Sequence, residues 1–159
     1  MVDGMTNKRW AFEDFIEGAT IPLGEKHVEA AEIVEFAREF DMQPMHLDEE
    51  AGKNSILGGL SASGWHTVSM FMRLICDHFL LDSTSQGAPG VEYLKWKKPV
   101  LAGDTIRGEA TVMAVRRSGS RPQLGFVTFR NSLYNQRNDL VLEFSNTGMF
   151  LLRNPELAA

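Results

Sequence analysis

A single cysteine, Cys76, stands in a chain of 159 residues. One thiol cannot close an intramolecular disulfide or build a cysteine-cluster metal site. Its apolar neighbours mark it as a buried structural thiol rather than a nucleophile. Basic charge is also scarce: 16 Lys and Arg stand against 21 Asp and Glu, a formal net charge of −5. Nucleic-acid binders draw most of their affinity from neutralising phosphates, so no nucleic-acid partner is expected. The short clusters Lys95, Lys97, Lys98 and Arg116, Arg117, Arg121 suit a few phosphates of a small ligand at most. No apolar run approaches the roughly 20 residues of a membrane span. Residues 1–10 are polar and lack the apolar centre of a signal peptide. The expected location is therefore cytoplasmic, with no membrane partner. Internal repeats, low-complexity tracts and linkers are missing too, so residues 1–159 read as one domain. Its core would cover about residues 15–152, behind a short polar N-terminal extension. A domain of this size buries roughly 68–70% of its unfolded surface and needs no staples.

Apolar spacing changes period halfway along the chain. Residues 20–24 read as a short extended segment. Ile33, Val34, Phe36, Ala37 and Phe40 recur at helical intervals, which predicts an amphipathic helix over 29–40. No Ser, Thr, Asp or Asn occupies its expected cap. Pro44 ends it, because the residue before a proline is pushed out of the α region. A turn at 41–48 then leads to a short acidic helical turn ending near Gly52. Gly58 and Gly59 mark a loop, after which Ser63 is placed to cap a helix reaching about Leu81. That helix is apolar nearly all round, with one polar stripe of His66, Ser69, Arg73 and Asp77, so other structure should wrap it. The remainder reads as strands over 91–98, 105–114, 124–135 and from 140 onward. An antiparallel sheet curled around one central apolar helix satisfies this order. Such an α+β arrangement is the hotdog architecture.

The stretch Asp41-Met42-Gln43-Pro44-Met45-His46-Leu47-Asp48-Glu49-Glu50-Ala51 resembles the motif of the MaoC-like hydratases, with Asp41, Pro44, His46, Asp48 and Ala51 matching in type and spacing. Three further blocks follow in the family's order. Ser63-Gly64-Trp65-His66-Thr67 is similar to the glycine opening its central helix. Lys98-Pro99-Val100-Leu101-Ala102-Gly103-Asp104-Thr105 is similar to its Pro-Val … Gly-Asp-Thr turn. Ser118-Gly119-Ser120-Arg121-Pro122 with Gly125 and Val127 resembles many single-domain bacterial members. Three positions depart from the pattern. Gln43 stands where the family usually has Asn, and Ser63 where a His often precedes the glycine; Trp65 then follows where a smaller residue is common. These bear on acyl-chain preference and turnover, not on fold.

The resemblance implies a hydro-lyase acting on a 2-enoyl or 3-hydroxyacyl thioester carried by CoA or an acyl carrier protein. It also implies (R)-specific hydration, no metal or redox cofactor, and at least a homodimer with acyl sites near the interface. Physically, an Asp and a His on one tight turn can both touch a single water, and a neutral imidazole can take its proton. Asp41 and His46 are thus the candidate catalytic pair, with Gln43 and Ser63 in support. The backbone N–H of Gly64, at a helix N-terminus, is the candidate for holding a developing thioester oxyanion, and glycine there would let the thioester approach closely. Each residue also has a structural reading. Asp41 could cap the turn at Pro44, His46 could be an ordinary core histidine, and Asp48 and Glu49 a solvated first turn. His66 and His78 read as structural residues of the central helix, and His27 carries no signal. Trp65, Phe71 and Met72 suggest a restricted acyl pocket, although core packing needs the same residues. Two other activities compete on this fold, a thioesterase and a non-catalytic acyl-binding subunit.

Overall fold

The computed structural model describes residues 7–154; the polar stretch of residues 1–6 lies outside them. Five strands form one antiparallel sheet: β1 (Thr20–His27), β2 (Val91–Trp96), β3 (Thr105–Arg117), β4 (Leu124–Tyr134) and β5 (Leu140–Leu151). Their spatial order is β1-β3-β4-β5-β2, which leaves β1 and β2 at the edges. Four helices complete the fold: α1 (Ala30–Phe40), α2 (Pro44–Leu47), α3 (Glu49–Lys53) and α4 (Gly64–His78). This is a single hotdog domain. Among the described residues no helix is long and apolar enough to cross a membrane.

Period-two burial makes the sheet one-sided, as expected for antiparallel strands with one packed face. On β3, Ile106, Gly108, Ala110 and Val112 point inward, and on β4 Val127, Phe129, Asn131 and Leu133 do so. Met70, Phe71 and Leu74 of α4 are buried in the same core, with Phe71 set edge-on to Phe144 at 5.0 Å. Gly108 lets the helix come this close: a Cβ there would lie 3.2 Å from Leu74 and 3.3 Å from Leu23. At the other end, Trp10, Phe15, Phe79, Phe129 and Phe150 form an aromatic cluster. Each fully buried phenylalanine of this cluster contributes roughly 1.5–3 kcal/mol.

Several expectations change. The extended segment at 20–24 is the start of a full edge strand, β1, hydrogen-bonded to β3 as far as His27↔Thr105. Its apolar signal is broken by an irregularity between Pro22 and Glu25, where Gly24 takes φ +71°. The central helix stops at His78, three residues short, and a single 3-10 turn (Leu80–Asp82) follows. Nor is it wrapped on all sides. Trp65 is 62% exposed and Met72 48%, so one apolar flank faces outward. Cys76 is half-buried rather than buried.

Candidate functional site

α1 ends at Asp41, whose N–H donates to Ala37 O at 2.9 Å. Pro44 does more than stop α1: it occupies the first turn of α2, where its fixed φ suits a helix start and its missing N–H is no loss. This tight reversal places His46, two residues on, back against Asp41. His46 is buried at 5% exposure. Its Nδ1 lies 2.7 Å from Ser61 O. A carbonyl oxygen can only accept, so Nδ1 donates and Nε2 is the ring nitrogen turned toward Asp41. That Nε2 sits 3.6 Å from Asp41 Oδ2.

Asp41 is held from two sides. Ser63 Oγ donates to Oδ2 at 2.6 Å, and Gln43 Nε2 donates to Oδ1 at 2.8 Å. Burial pushes the carboxyl pKa up, but these two bonds and the nearby imidazole outweigh it and hold it below the usual aspartate range. Asp41 is therefore ionised at neutral pH. In the neutral form of the imidazole, its Nε2 and the carboxylate oxygen are both acceptors, facing each other across a gap too long for a direct bond. One water donating a hydrogen to each would satisfy both.

The pair opens into a cleft of about 380 Å³ bordered by Ala62, Gly64, Trp65, Trp96, Lys97 and Val100. Ser63 precedes α4 but does not cap it; its hydroxyl is spent on Asp41. Gly64 opens α4, so its N–H has no intrahelical acceptor. The space a Cβ would occupy there is not open to a ligand. Trp96 fills it, with Cε2 2.6 Å from the Cβ position, and its Nε1 donates to Gly64 O at 2.9 Å. The glycine admits an indole, which corrects the expectation of open space above it.

The other candidates sort cleanly. Asp48 is the N-cap of α3, accepting from Ala51 N at 2.8 Å. Of the bulky trio, only Trp65 borders the cleft; Phe71 lies in the core and Met72 faces outward. Lys97 and Lys98 border the cleft, Lys98 paired with Asp139 at 2.9 Å. Lys95 instead lies over the Tyr93 ring. Arg116 stacks over Phe126, Arg117 donates to Pro122 O, and neither borders the site. His78 is exposed, its Nδ1 donating to Leu74 O and its ring filling the space above Gly24. His27 lies at the exposed end of β1, 3.7 Å from Glu29. Sequence reasoning missed two participants, Ser61 and Trp96. Ser61 meets Nδ1 mainly through its carbonyl at 2.7 Å, which leaves no residue-type signal, with its hydroxyl 3.3 Å away. Trp96 reaches Gly64 only because β2 runs beside the start of α4.

Comparison with known proteins places the chain in a family. Residues 16–132 match the MaoC like domain. The crystal structure of a MaoC-like dehydratase from Rhodospirillum rubrum is 40% identical, with a TM-score of 0.83 over 89% of this chain and 97% of that one. Protein YdeM of Bacillus subtilis is 30% identical over 132 residues, 82% of this chain and 92% of the relative. An (R)-specific enoyl-CoA hydratase of Rhodospirillum rubrum is 29% identical over 126 residues, 76% and 78% of the two chains. The match over most of the chain, on a fold that presents the motif's Asp41 and His46 side by side, makes this protein a member of the MaoC-like domain family.

Proposed function

We propose that the protein hydrates 2-enoyl thioesters, and dehydrates the 3-hydroxyacyl products, with CoA as the carrier. The observation that carries this reading is the pair of acceptors 3.6 Å apart, Asp41 Oδ2 and His46 Nε2, at the mouth of a cleft. A water held between them loses a proton to His46 Nε2 as its oxygen bonds to C3 of the enoyl chain. The C2–C3 π electrons move toward the thioester oxygen, which the Gly64 N–H stabilises. Collapse of that enolate takes up at C2 the proton carried by the His46 imidazolium, which regenerates the free base, and the overall change is addition of one water. Asp41, ionised throughout, orients the water and stabilises the imidazolium that forms. A donor of the Gly64 kind is typically worth about 10²–10³ in rate. Lys97, exposed at the rim, suits a phosphate of the carrier.

Incubation with crotonyl-CoA tests this directly. Loss of enoyl absorbance without free thiol is expected, and the product should be the (R)-3-hydroxy thioester. Asp41→Ala and His46→Ala should each reduce turnover by a large factor, about 10²-fold or more on general acid–base grounds, while the chain stays folded. Free thiol would instead establish a thioesterase. Binding without turnover, unaffected by Asp41→Ala, would establish a non-catalytic acyl-binding subunit.

The reading includes a homodimer. β2 is an edge strand, paired with β5 alone among the described strands, and such edges invite a further strand. Val91 and Trp96 on β2, together with Trp65 of α4, leave large apolar surfaces exposed, and the two tryptophans meet edge-on at 5.3 Å. A second copy along β2 would cover this band and close the cleft from outside.

A further inference from the structure

We propose that His66 is a positioning residue for Asp41, acting by fixing the roll of α1 against the start of α4. This rests on the hydratase reading and adds to it a residue outside the catalytic pair.

His66 lies one turn or less beyond Ser63 and Gly64, yet it points away from their cleft into a different space. Its ring is 3% exposed and stacks on Phe36 of α1, centroids 4.7 Å apart and planes 12° from parallel. Its Nε2 lies 3.5 Å from Glu32 Oε1, and Glu32 Oε2 lies 2.9 Å from Lys26 Nζ on β1. One side chain therefore ties α4 to α1 and, through Glu32, to the edge strand. Burial pushes the imidazole pKa down against the pull of Glu32, so the ring is neutral at pH 7. Facing a carboxylate, the neutral ring carries its proton on Nε2, while Nδ1 is buried without a partner among the described residues.

The geometry of α1 explains why this tie matters. Ile33 and Ala37, both fully buried, form the stripe on which α1 sits. A single stripe resists translation but permits rolling. Glu32 and Phe36 flank it one turn apart and resist that roll through His66. A groove of about 680 Å³ opens along this flank between α1, α4 and β1, so packing beside the His66 contact is loose there. Asp41, the residue that ends α1, lies five residues beyond Phe36, roughly 7.5 Å along the axis. A small roll at Phe36 thus displaces the carboxylate against Ser63 and His46. A misplacement of about 1 Å can cost about 10²-fold in rate.

Crotonyl-CoA kinetics of His66→Leu and His66→Gln test the proposal. Gln places an amide N–H where the imidazole Nε2 stands and can still meet Glu32; Leu cannot. His66→Leu is expected to lower kcat about 10–100-fold with KM changed less than about twofold. His66→Gln should recover most of that loss. Equal kcat in His66→Leu and wild type overturns the proposal, as does a parallel fall of both variants with no recovery by Gln. If His66→Leu fails to fold, Glu32→Ala on the partly exposed flank replaces it, with a fall in kcat expected and an unchanged kcat overturning. If the wild type itself leaves crotonyl-CoA untouched, the hydratase reading fails separately. Nitrogen NMR of the His46 ring in wild type and His66→Gln or His66→Leu then decides the positioning role. A shifted His46 signal in the Leu variant alone supports it, and unchanged spectra overturn it.

Discussion

Ser63→Ala is the most direct probe of how the site is built. The Ser63 hydroxyl is wholly buried, and it donates at 2.6 Å to a carboxylate whose side chain is 17% exposed. Hydrogen bonds to charged groups contribute about 1.5–3 kcal/mol. Gln43 still donates to the other oxygen, and the carboxylate keeps some solvent, so the lower part of that range, about 1.5–2 kcal/mol, applies. For a chain of this length that lowers Tm by about 3–8 °C. The sign with pH follows from the depressed carboxyl pKa. The bond favours ionised Asp41, so its stabilisation is fully present above the unfolded aspartate value of about 3.9. It disappears as pH falls through the lower folded value. Urea unfolding from pH 7 down to pH 3 should therefore show a constant gap between wild type and variant that narrows only in acid. If the bond also holds Asp41 in the transition state, kcat for crotonyl-CoA falls about 10–30-fold, one decade per 1.36 kcal/mol. Unchanged Tm and kcat at pH 7 would refute the reasoning. A gap that persists undiminished in acid would show that lost packing, not the hydrogen bond, causes the destabilisation.

Gly64→Ala drives a methyl group to 2.6 Å from the Trp96 ring. Overpacking of this kind costs about 1–3 kcal/mol, offset by up to about 1 kcal/mol of helix propensity. A Tm lower by a few degrees and a shifted tryptophan emission are expected, whereas a raised Tm with unaltered emission would contradict the contact. Sedimentation equilibrium should find wild type dimeric, and lysine at both Val91 and Tyr93 should convert it to monomer by charging the β2 edge. A monomeric wild type removes the dimer.

Much of the site was legible because its parts are local. Asp41, Pro44 and His46 lie within six residues, and the proline dictates a helix end followed by a new start, which folds the imidazole back onto the carboxylate. α1 was legible for a similar reason: its apolar stripe is periodic, and its missing cap residue matches the uncapped Glu29 of the structure. β1 was not, because Pro22 and Gly24 interrupt the alternation just where the strand kinks. The early end of α4 was hidden by Phe79 and Leu80, which continue the apolar pattern while serving the core from a different backbone conformation.

Residue types and spacing gave the class of fold and the candidate pair Asp41 and His46, and the motif resemblance gave the family, all from short-range order along the chain. Tertiary structure decided where polar atoms without a chain-local signature found partners. It gave Ser63 to Asp41 instead of to its helix, the Ser61 carbonyl to His46, the Trp96 indole to the gap above Gly64, and His66 to the flank of α1. Each of these pairs joins elements from 15 to 32 residues apart. Their meeting depends on how the sheet and helices pack, which no spacing within one segment encodes.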